Sequence, residues 1–577
     1  MKIYSFRFIL FMTAAIFTIS LIGGCGKQNA EDQAKQEEIK KMEQDFDTFV
    51  QSYVDKMKPL TIQWWTSYFD ASISGKKEDF AKSDSLEMLY NQLASNKDDF
   101  AKLKKFKESG LIRDSIKQRT LTVIYNEFLS KQIDTAKLNA MTKLQTQIVQ
   151  QYNSFRADVD GKKLSDNEIE QTLKESTDTK QLEKVWLAHK KIGPVVADDL
   201  KKLVKMRNEA AKELGFNNYH EMSLKLSEQD PAEISKLFDE LDNLTRDSFK
   251  KVKDEMDKFL ADRLKIKPEE LQPWHYQNRY FQEAPQIYEV DVDTYYKDKD
   301  IVKTTVDYYK SLNMPIEDMV AKSDLFEKEG KNQHAYCIDI DRDAHDIRVL
   351  CNVKQNSKWM ETMLHEYGHA LFEKYLGADL PWSLKQPAHI FTTEAIAMMF
   401  GRFATNPQWM QDVIKISPEE KAKITPVCKK ILILQELVFS RWAQVMYRFE
   451  KSMYENPDQD LNKLWWDIVE KYQMVKKPSG RNMPDWATKT HIASSPCYYH
   501  NYLLGDLLAS QLYYTIAEKV LKVKAEDNHS FFGKPEAGKF LIEKVFAPGM
   551  KYYWNDMIER ATGEKLTPKY YAKQFVQ

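Results

Sequence analysis

Two histidines, His365 and His369, stand four positions apart and enclose Glu366 in a stretch without proline. Apolar residues recur around them at helical spacing, at positions 360, 363, 364, 371 and 372, which predicts a helix. Residues i and i+4 lie on the same face of a helix, so both imidazoles can reach one metal ion. The pattern is half of a zinc site, with Glu366 beside it, and it requires a further ligand.

Glu394 is the candidate for that ligand. It is the single carboxylate in the apolar, helix-like segment 392–400, where a buried charge is costly unless it is paired or bound to a cation. One alternative is a hydrogen bond to a neighbouring Arg or Tyr, but the two histidines upstream favour a metal. We expect one Zn²⁺ per chain, held by these three residues with a fourth position open. A water there would be acidified by the metal, and Glu366 would act as general base in amide hydrolysis.

The composition favours one large helical body. The 577 residues include only 18 Gly and 19 Pro, and no Gly/Ser-rich linker divides them. We therefore predict a mainly α domain over residues 46–577. Lys plus Arg (85) nearly balance Asp plus Glu (86), so no global charge argues for a nucleic-acid partner. No obligate protein partner is predicted.

The N-terminus has a different character from the rest. Lys2 and Arg7 precede an apolar run at 8–19, and small residues lead into Cys25. This pattern predicts a lipoprotein signal peptide at 1–24, with Cys25 lipidated at the start of a polar tether, residues 25–45. The apolar run is short for a membrane span; an uncleaved anchor, or a signal peptide with an unmodified cysteine, is the alternative. We expect a lipid-anchored protein of the bacterial cell envelope, facing the periplasm or the exterior.

The segment 335–353 is the one convincing two-stranded stretch, and it directly precedes the metal helix. Its edge could offer backbone groups to an extended peptide. Cys337 and Cys351 lie in its two strands. Export permits disulfides, so these two cysteines form either a bridge or free buried thiols, and both readings stay open.

Two further segments carry groups that suit a site. Residues 272–280 form a dense aromatic and amide cluster, which either lines a site or packs between helices. Residues 489–505 hold closely spaced His and Tyr side chains, which could donate hydrogen bonds to an oxyanion.

With the metal motif, these segments resemble the angiotensin-converting enzyme family of zinc peptidyl-dipeptidases, particularly its bacterial members, and more distantly the thimet oligopeptidase family. The resemblance covers most of the chain from about residue 185. Besides the metal motif and Glu394, it rests on residues 207–216, 273–276, 334–335, 465–466 and 489–502. The order and spacing of these matches are more specific than any one of them.

The resemblance implies a nearly all-helical ellipsoid divided by a deep cleft, with zinc at its floor and a small β-hairpin beside the zinc helix. It also implies short peptide substrates and three sets of residues that bind them. These are an oxyanion pair, His491 and Tyr502; a clamp for the C-terminal carboxylate, Lys489 and Tyr499, with Gln277; and a substrate path along His334 and Ala335. The clamp would place the second peptide bond from the C-terminus over the metal, so that dipeptides are released.

This chain departs from the family pattern in three places. The interval after His491 is one residue longer than in the animal enzymes, so Tyr498 competes with Tyr499. Asn501 stands where those enzymes carry a chloride-linked Arg, and chloride activation is not predicted. Met398 replaces an acidic residue that would hold one ligand histidine. An oligoendopeptidase or carboxypeptidase of the same fold is the nearest alternative, and a non-catalytic peptide-binding lipoprotein is another.

Overall fold

The computed structural model describes the backbone of residues 7–576 and the side chains of residues 32–576. The predicted lipidation of Cys25 falls outside the described side chains. The predicted signal peptide, residues 1–24, likewise stays a prediction. Among the described residues, no helix combines the length and the apolar character needed to cross a bilayer.

The prediction of a mainly α fold is confirmed, since helices make up most of the described chain. The α-helices, in chain order, are α1 (Arg7–Ser74), α2 (Lys77–Ala94), α3 (Lys97–Ser109), α4 (Ser115–Ser130), α5 (Thr135–Ser154), α6 (Asp166–Glu175), α7 (Thr179–Lys190), α8 (Ile192–Glu213), α9 (Tyr219–Leu226), α10 (Pro231–Leu264), α11 (Ile301–Ser311), α12 (Glu317–Val320), α13 (Ser357–Lys374), α14 (Ile390–Gly401), α15 (Pro407–Trp409), α16 (Pro418–Glu455), α17 (Leu461–Gln473), α18 (His491–Ser494), α19 (His500–Tyr514), α20 (Pro535–Phe540), α21 (Trp554–Thr562) and α22 (Lys569–Phe575). The predicted tether, residues 25–45, is thus part of α1.

Two small antiparallel hairpins accompany the helices. Strands β1 (Ala157–Val159) and β2 (Lys162–Leu164) form the first, which the sequence analysis did not predict because three residues are too few to show alternation. Strands β3 (Tyr336–Asp341) and β4 (Asp346–Leu350) form the second, within the predicted segment 335–353.

The register of the second hairpin determines whether Cys337 and Cys351 lie opposite each other. Cys337 pairs with Val349 across the strands, so Cys351 lies beyond the position opposite it. Both are free thiols, as are Cys428 and Cys497. The sequence left a disulfide bridge and free thiols as alternatives for Cys337 and Cys351, and in the structure both are free thiols.

The core of the molecule is built around α14, which packs between α13 and α19. Nearly every residue of α14 is buried, and this explains its uniformly apolar sequence. The middle part of α1, residues 42–57, packs with α2 to α4 in a separate apolar cluster. Further along, Phe69 of α1 packs on Ile338 and Ile340 of β3, so α1 also covers one face of the hairpin.

Two glycines allow these central helices to approach closely. A Cβ at Gly368 of α13 would lie 2.9 Å from the Cα of Ala397 on α14. A Cβ at Gly505 of α19 would lie 3.2 Å from Met398 Sδ and 3.3 Å from Glu394 Cβ. Met398, at the position of the family's acidic residue, therefore serves the packing of α14 on α19.

Candidate active site

Helix α13 sets the spacing of the two predicted metal-binding histidines. Its start is capped by Asn356, whose side-chain oxygen accepts a hydrogen bond from the backbone N–H of Trp359 at 2.9 Å. His365 and His369 then lie one turn apart on one face. Their Nε2 atoms are 3.3 Å apart, which is close enough for both to face one ion.

Helix α14 brings Glu394 to the same point. Its Oε2 lies 3.8 Å from the Nε2 atom of each histidine, and the three candidate ligand atoms all fall within 4.8 Å of one another. Burial raises the pKa of Glu394 to about 7 and lowers that of His365 to about 4, and it holds that of His369 well below its usual range. The imidazoles are therefore neutral, as metal ligands must be.

This donor set fits zinc. Two neutral imidazole nitrogens and one carboxylate oxygen form a three-ligand arrangement that catalytic zinc sites use, with one position left for water or substrate. The carboxylate of Glu394 is buried beside two neutral rings, and a divalent cation would stabilise its charged form.

A hydrogen-bond partner for one ligand histidine, which could not be identified from the sequence, comes from α14. His369 Nδ1 lies 2.7 Å from the hydroxyl of Thr393. With the proton on Nδ1 donated to that hydroxyl, Nε2 keeps its lone pair for the metal. Thr393 directly precedes Glu394 in the chain, and that adjacency is a signal that could have identified it.

Glu366 lies between α13 and β3. Its buried carboxylate accepts a hydrogen bond from the backbone N–H of Cys337. Burial and the nearby charge of Glu394 raise its pKa to about 8 despite that hydrogen bond. The group predicted as general base is therefore close to the three ligands and oriented by the strand predicted to receive the peptide.

The residues predicted to stabilise an oxyanion meet in one aromatic cluster. The ring of Tyr502 lies 5.4 Å from that of Tyr499 and 5.3 Å from that of Tyr498, and His491 lies 5.2 Å from Tyr499 between ring centroids. Burial and the charge of Glu394 both raise the pKa of Tyr502 and Tyr498, so both hydroxyls are protonated and near the metal ligands. His491 Nδ1 is buried and has no hydrogen-bond partner among the described residues.

Lys489 and Tyr499, predicted to hold a substrate carboxylate, are also neighbours. The ammonium of the buried Lys489 lies 5.6 Å from the centre of the Tyr499 ring and 5.4 Å from that of Trp442. Trp442 donates a 2.7 Å hydrogen bond to the Tyr499 hydroxyl. Of the two competing tyrosines, Tyr499 is therefore the one held beside the lysine, whereas Tyr498 stacks edge-on with Tyr502.

The third predicted clamp residue requires a correction. Gln277 has a positive φ of 57°, and its side-chain oxygen accepts a hydrogen bond from the backbone N–H of Gln286 at 2.9 Å. Its side-chain oxygen thus binds within its own loop, and among the described contacts of Lys489 none is with Gln277. The amide beside the lysine belongs to Gln282, whose Oε1 accepts from Lys489 Nζ at 2.6 Å. Gln282 was not predicted from the sequence, because nothing in the residue spacing distinguishes it from Gln277.

His334 and Ala335 lie just before β3, along a groove of about 620 Å³. Trp65 and Tyr68 of α1 line the same groove, as does Cys337, which binds Glu366. The predicted substrate path therefore runs past Cys337, the residue whose backbone N–H binds the predicted base.

Comparison with known proteins places these features in a family context. A family model described as angiotensin-converting enzyme matches residues 40–570, nearly the whole chain. A search of curated proteins finds no match.

Proposed function

Because the chain belongs to the angiotensin-converting enzyme family of zinc metallopeptidases and is therefore a hydrolase, we propose that it releases dipeptides from the C-termini of short peptides. The observation that carries the proposal is the position of Lys489. This buried lysine, with Tyr499 and Gln282 beside it, lies outside the metal-binding set and is joined to it by the aromatic cluster. A fixed positive charge at that place suits a terminal carboxylate.

The first part of the reaction would depend on α13 and α14. Zinc held by His365, His369 and Glu394 would supply a Lewis acid that polarises the scissile carbonyl and acidifies water. Glu366 would take a proton from the attacking water as its oxygen bonds to the carbonyl carbon. The same carboxyl group would then pass that proton to the leaving nitrogen as the C–N bond breaks.

The aromatic cluster would support the charge that develops. Tyr502 through its hydroxyl and His491 through its imidazole N–H would donate hydrogen bonds to the carbonyl oxygen as it becomes negative. Because both side chains are held by ring contacts with Tyr499, they would need little reorganisation during the reaction.

The clamp would set the position of cleavage. An extended residue spans about 3.3–3.6 Å, so two residues place a terminal carboxylate about 7 Å beyond the scissile bond. A carboxylate bound by Lys489 and Tyr499 would hold the second bond from the C-terminus at the metal, and the edge of β3 would align the preceding backbone. Dipeptide release is the expected register.

The proposal is tested on a pentapeptide with a free C-terminus and on its amide, digested by the zinc-loaded protein and analysed by mass spectrometry. We expect dipeptides from the free acid, far slower cleavage of the amide, and no cleavage with a chelator. Equal cleavage of the amide would show that Lys489 does not bind the substrate's C-terminal carboxylate, and it would indicate an oligoendopeptidase. Release of single residues would indicate a carboxypeptidase.

The role of Glu366 is tested in the same assay with Glu366→Gln, which we expect to retain zinc and lose turnover. Glu361→Gln is the matched control, because Glu361 is an exposed residue of α13 whose salt bridge, among the described residues, is with Lys358 at 3.3 Å. An active Glu366→Gln variant would exclude this residue as the base.

We also propose that the protein is anchored to the bacterial cell envelope through a lipid on Cys25. The support is the sequence of residues 2–25: basic residues, an apolar run, and small residues before the cysteine. Cys25→Ser should release the protein from the membrane fraction of the producing bacterium. Unchanged membrane association of that variant would refute the lipid anchor.

A further inference from the structure

Two carboxyl groups outside the proposed catalytic set face each other beside the groove. Asp339 of β3 and Glu373 of α13, together termed the acid pair, lie within hydrogen-bonding reach of one another. Both carboxyl oxygens of Asp339 are buried, and neither accepts a hydrogen bond from a donor among the described residues. Burial, with the charges of Asp341, Asp346 and Asp343 nearby, raises the pKa of Asp339 to about 7. Burial and the charge of Asp339 hold the pKa of Glu373 well above its usual range.

The charge of Arg342 lowers the pKa of both acids in part, but among the described residues no cation forms a salt bridge with either of them. Lys58 and Lys385 both bind Asp343 at 2.5 Å. The Arg342 guanidinium stacks over the ring of Trp382 at 4.7 Å and donates to the Trp382 carbonyl at 3.3 Å. In the part of the chain that the structure describes, no Lys, Arg or His nitrogen lies within 4.0 Å of either acid. Buried acids in this state are costly unless something else supplies positive charge.

The acid pair lies next to the proposed reaction centre. Asp339 lines the same groove as Trp65 and Tyr68, and it is two residues past Cys337, whose N–H binds Glu366. Two residues of a strand span about 7 Å. Glu373 lies one helical turn, about 5.4 Å, beyond His369 on the same face of α13.

The clamp lies in a different part of the molecule. The contacts of Lys489 are with Tyr280, Gln282, Trp442 and Tyr499, and among the described residues none is with β3 or Glu373. A substrate residue that reaches the acid pair is therefore outside the dipeptide that the clamp would hold.

We infer that the acid pair is a subsite for a positively charged substrate side chain, that of an arginine or lysine among the two residues on the amino-terminal side of the scissile bond. The inference rests on the proposed function. A guanidinium binds a carboxylate through two parallel hydrogen bonds, and it would supply both the missing donors and the missing charge. The rings of Trp65 and Tyr68 across the groove offer apolar surface to its aliphatic stem.

The test compares arginine with citrulline, which has the same shape but a neutral urea group. Acetylated pentapeptides with a free C-terminus would carry one or the other at each position in turn. For the zinc-loaded protein, we expect kcat/KM to favour arginine at least tenfold at one of the two positions before the scissile bond. We expect no such preference at the two positions of the released dipeptide.

Single substitutions test whether Asp339 and Glu373 cause the preference for arginine over citrulline. In Asp339→Asn and in Glu373→Gln, the arginine-to-citrulline ratio should fall towards one. Asp343→Asn is the matched control: it removes an acid from the same hairpin, but one bound to two lysines, and it should keep the ratio of the parent.

The outcomes separate this inference from the proposed function. Cleavage of the citrulline peptides with no preference for arginine would overturn the inference and leave the proposed function intact. A preference that persists in both variants, or that occurs in the released dipeptide, would also overturn it. Failure to cleave any peptide of the series would refute the proposed function, and the inference with it.

Discussion

Gly368→Ala is expected to damage the metal site without touching any ligand. The new Cβ would lie 2.9 Å from the Cα of Ala397 and 3.2 Å from its backbone nitrogen, whereas carbon atoms in contact prefer about 3.5–4.0 Å. Both obstructing atoms are backbone, so α13 and α14 must separate by about 0.6 Å or more. These helices carry the histidines and Glu394, respectively.

The expected change in the free energy of unfolding is the sum of two opposing effects. Overpacking of a close helix contact costs about 1–3 kcal/mol, and replacing a helical glycine by alanine returns about 0.5–1 kcal/mol. We expect the zinc-free protein to lose about 1–2 kcal/mol of unfolding free energy. Metal–ligand distances tolerate only about 0.2 Å, so zinc affinity should fall at least tenfold.

The assay is urea unfolding of the zinc-free protein, together with zinc competition against a chromogenic chelator. Gly401→Ala is the matched control, because Gly401 lies at the same helix crossing with a helical φ of −56° and a Cβ there would meet nothing closer than 3.6 Å. It should keep or gain stability and keep its zinc affinity. Wild-type stability and zinc affinity in Gly368→Ala, or equal damage in Gly401→Ala, would refute the reasoning.

Two further predictions concern the clamp and the oxyanion. Burial, with Arg279 nearby, lowers the pKa of Lys489 to about 8, so the ammonium is charged below that pH and neutral above it. In a pH–rate profile, kcat/KM for a free-acid peptide should therefore fall as the pH rises through about 8. The amide of the same peptide should show no such fall. A profile with the same descending limb for both peptides would contradict this role. Tyr502→Phe removes one proposed hydrogen-bond donor to the oxyanion. In steady-state kinetics it should lower kcat about 100-fold or more with little change in KM. A rise in KM with unchanged kcat would show that Tyr502 binds substrate instead.

The sequence by itself determined the features that depend on local geometry. An i, i+4 pair on a helix faces one way whatever surrounds it, so His365 and His369 were recognisable as a metal-binding pair before any fold was known. Glu394 was recognisable because a lone carboxylate in an apolar helix needs a partner. The segment 335–353 was likewise recognisable as two-stranded, and it contains β3 and β4.

Only the tertiary structure decided which residues meet across elements. Gln277 and Gln282 are the same residue type, but Gln277 accepts a hydrogen bond from Gln286 within its own loop, whereas Gln282 accepts one from Lys489. Asp339 and Glu373 come from a strand and a helix that are far apart in the chain, so their repulsion has no local signature.

The distances within the site are likewise a property of packing. Gly368 on α13 and Gly505 on α19 are small residues in otherwise ordinary helices, and no local rule specifies the surfaces that their missing side chains let approach. Helical periodicity orients side chains about a single axis. The distance between two helix axes depends on the side chains that meet between them. For α13, α14 and α19 these side chains come from separate helices, and α19 lies about a hundred residues further along the chain.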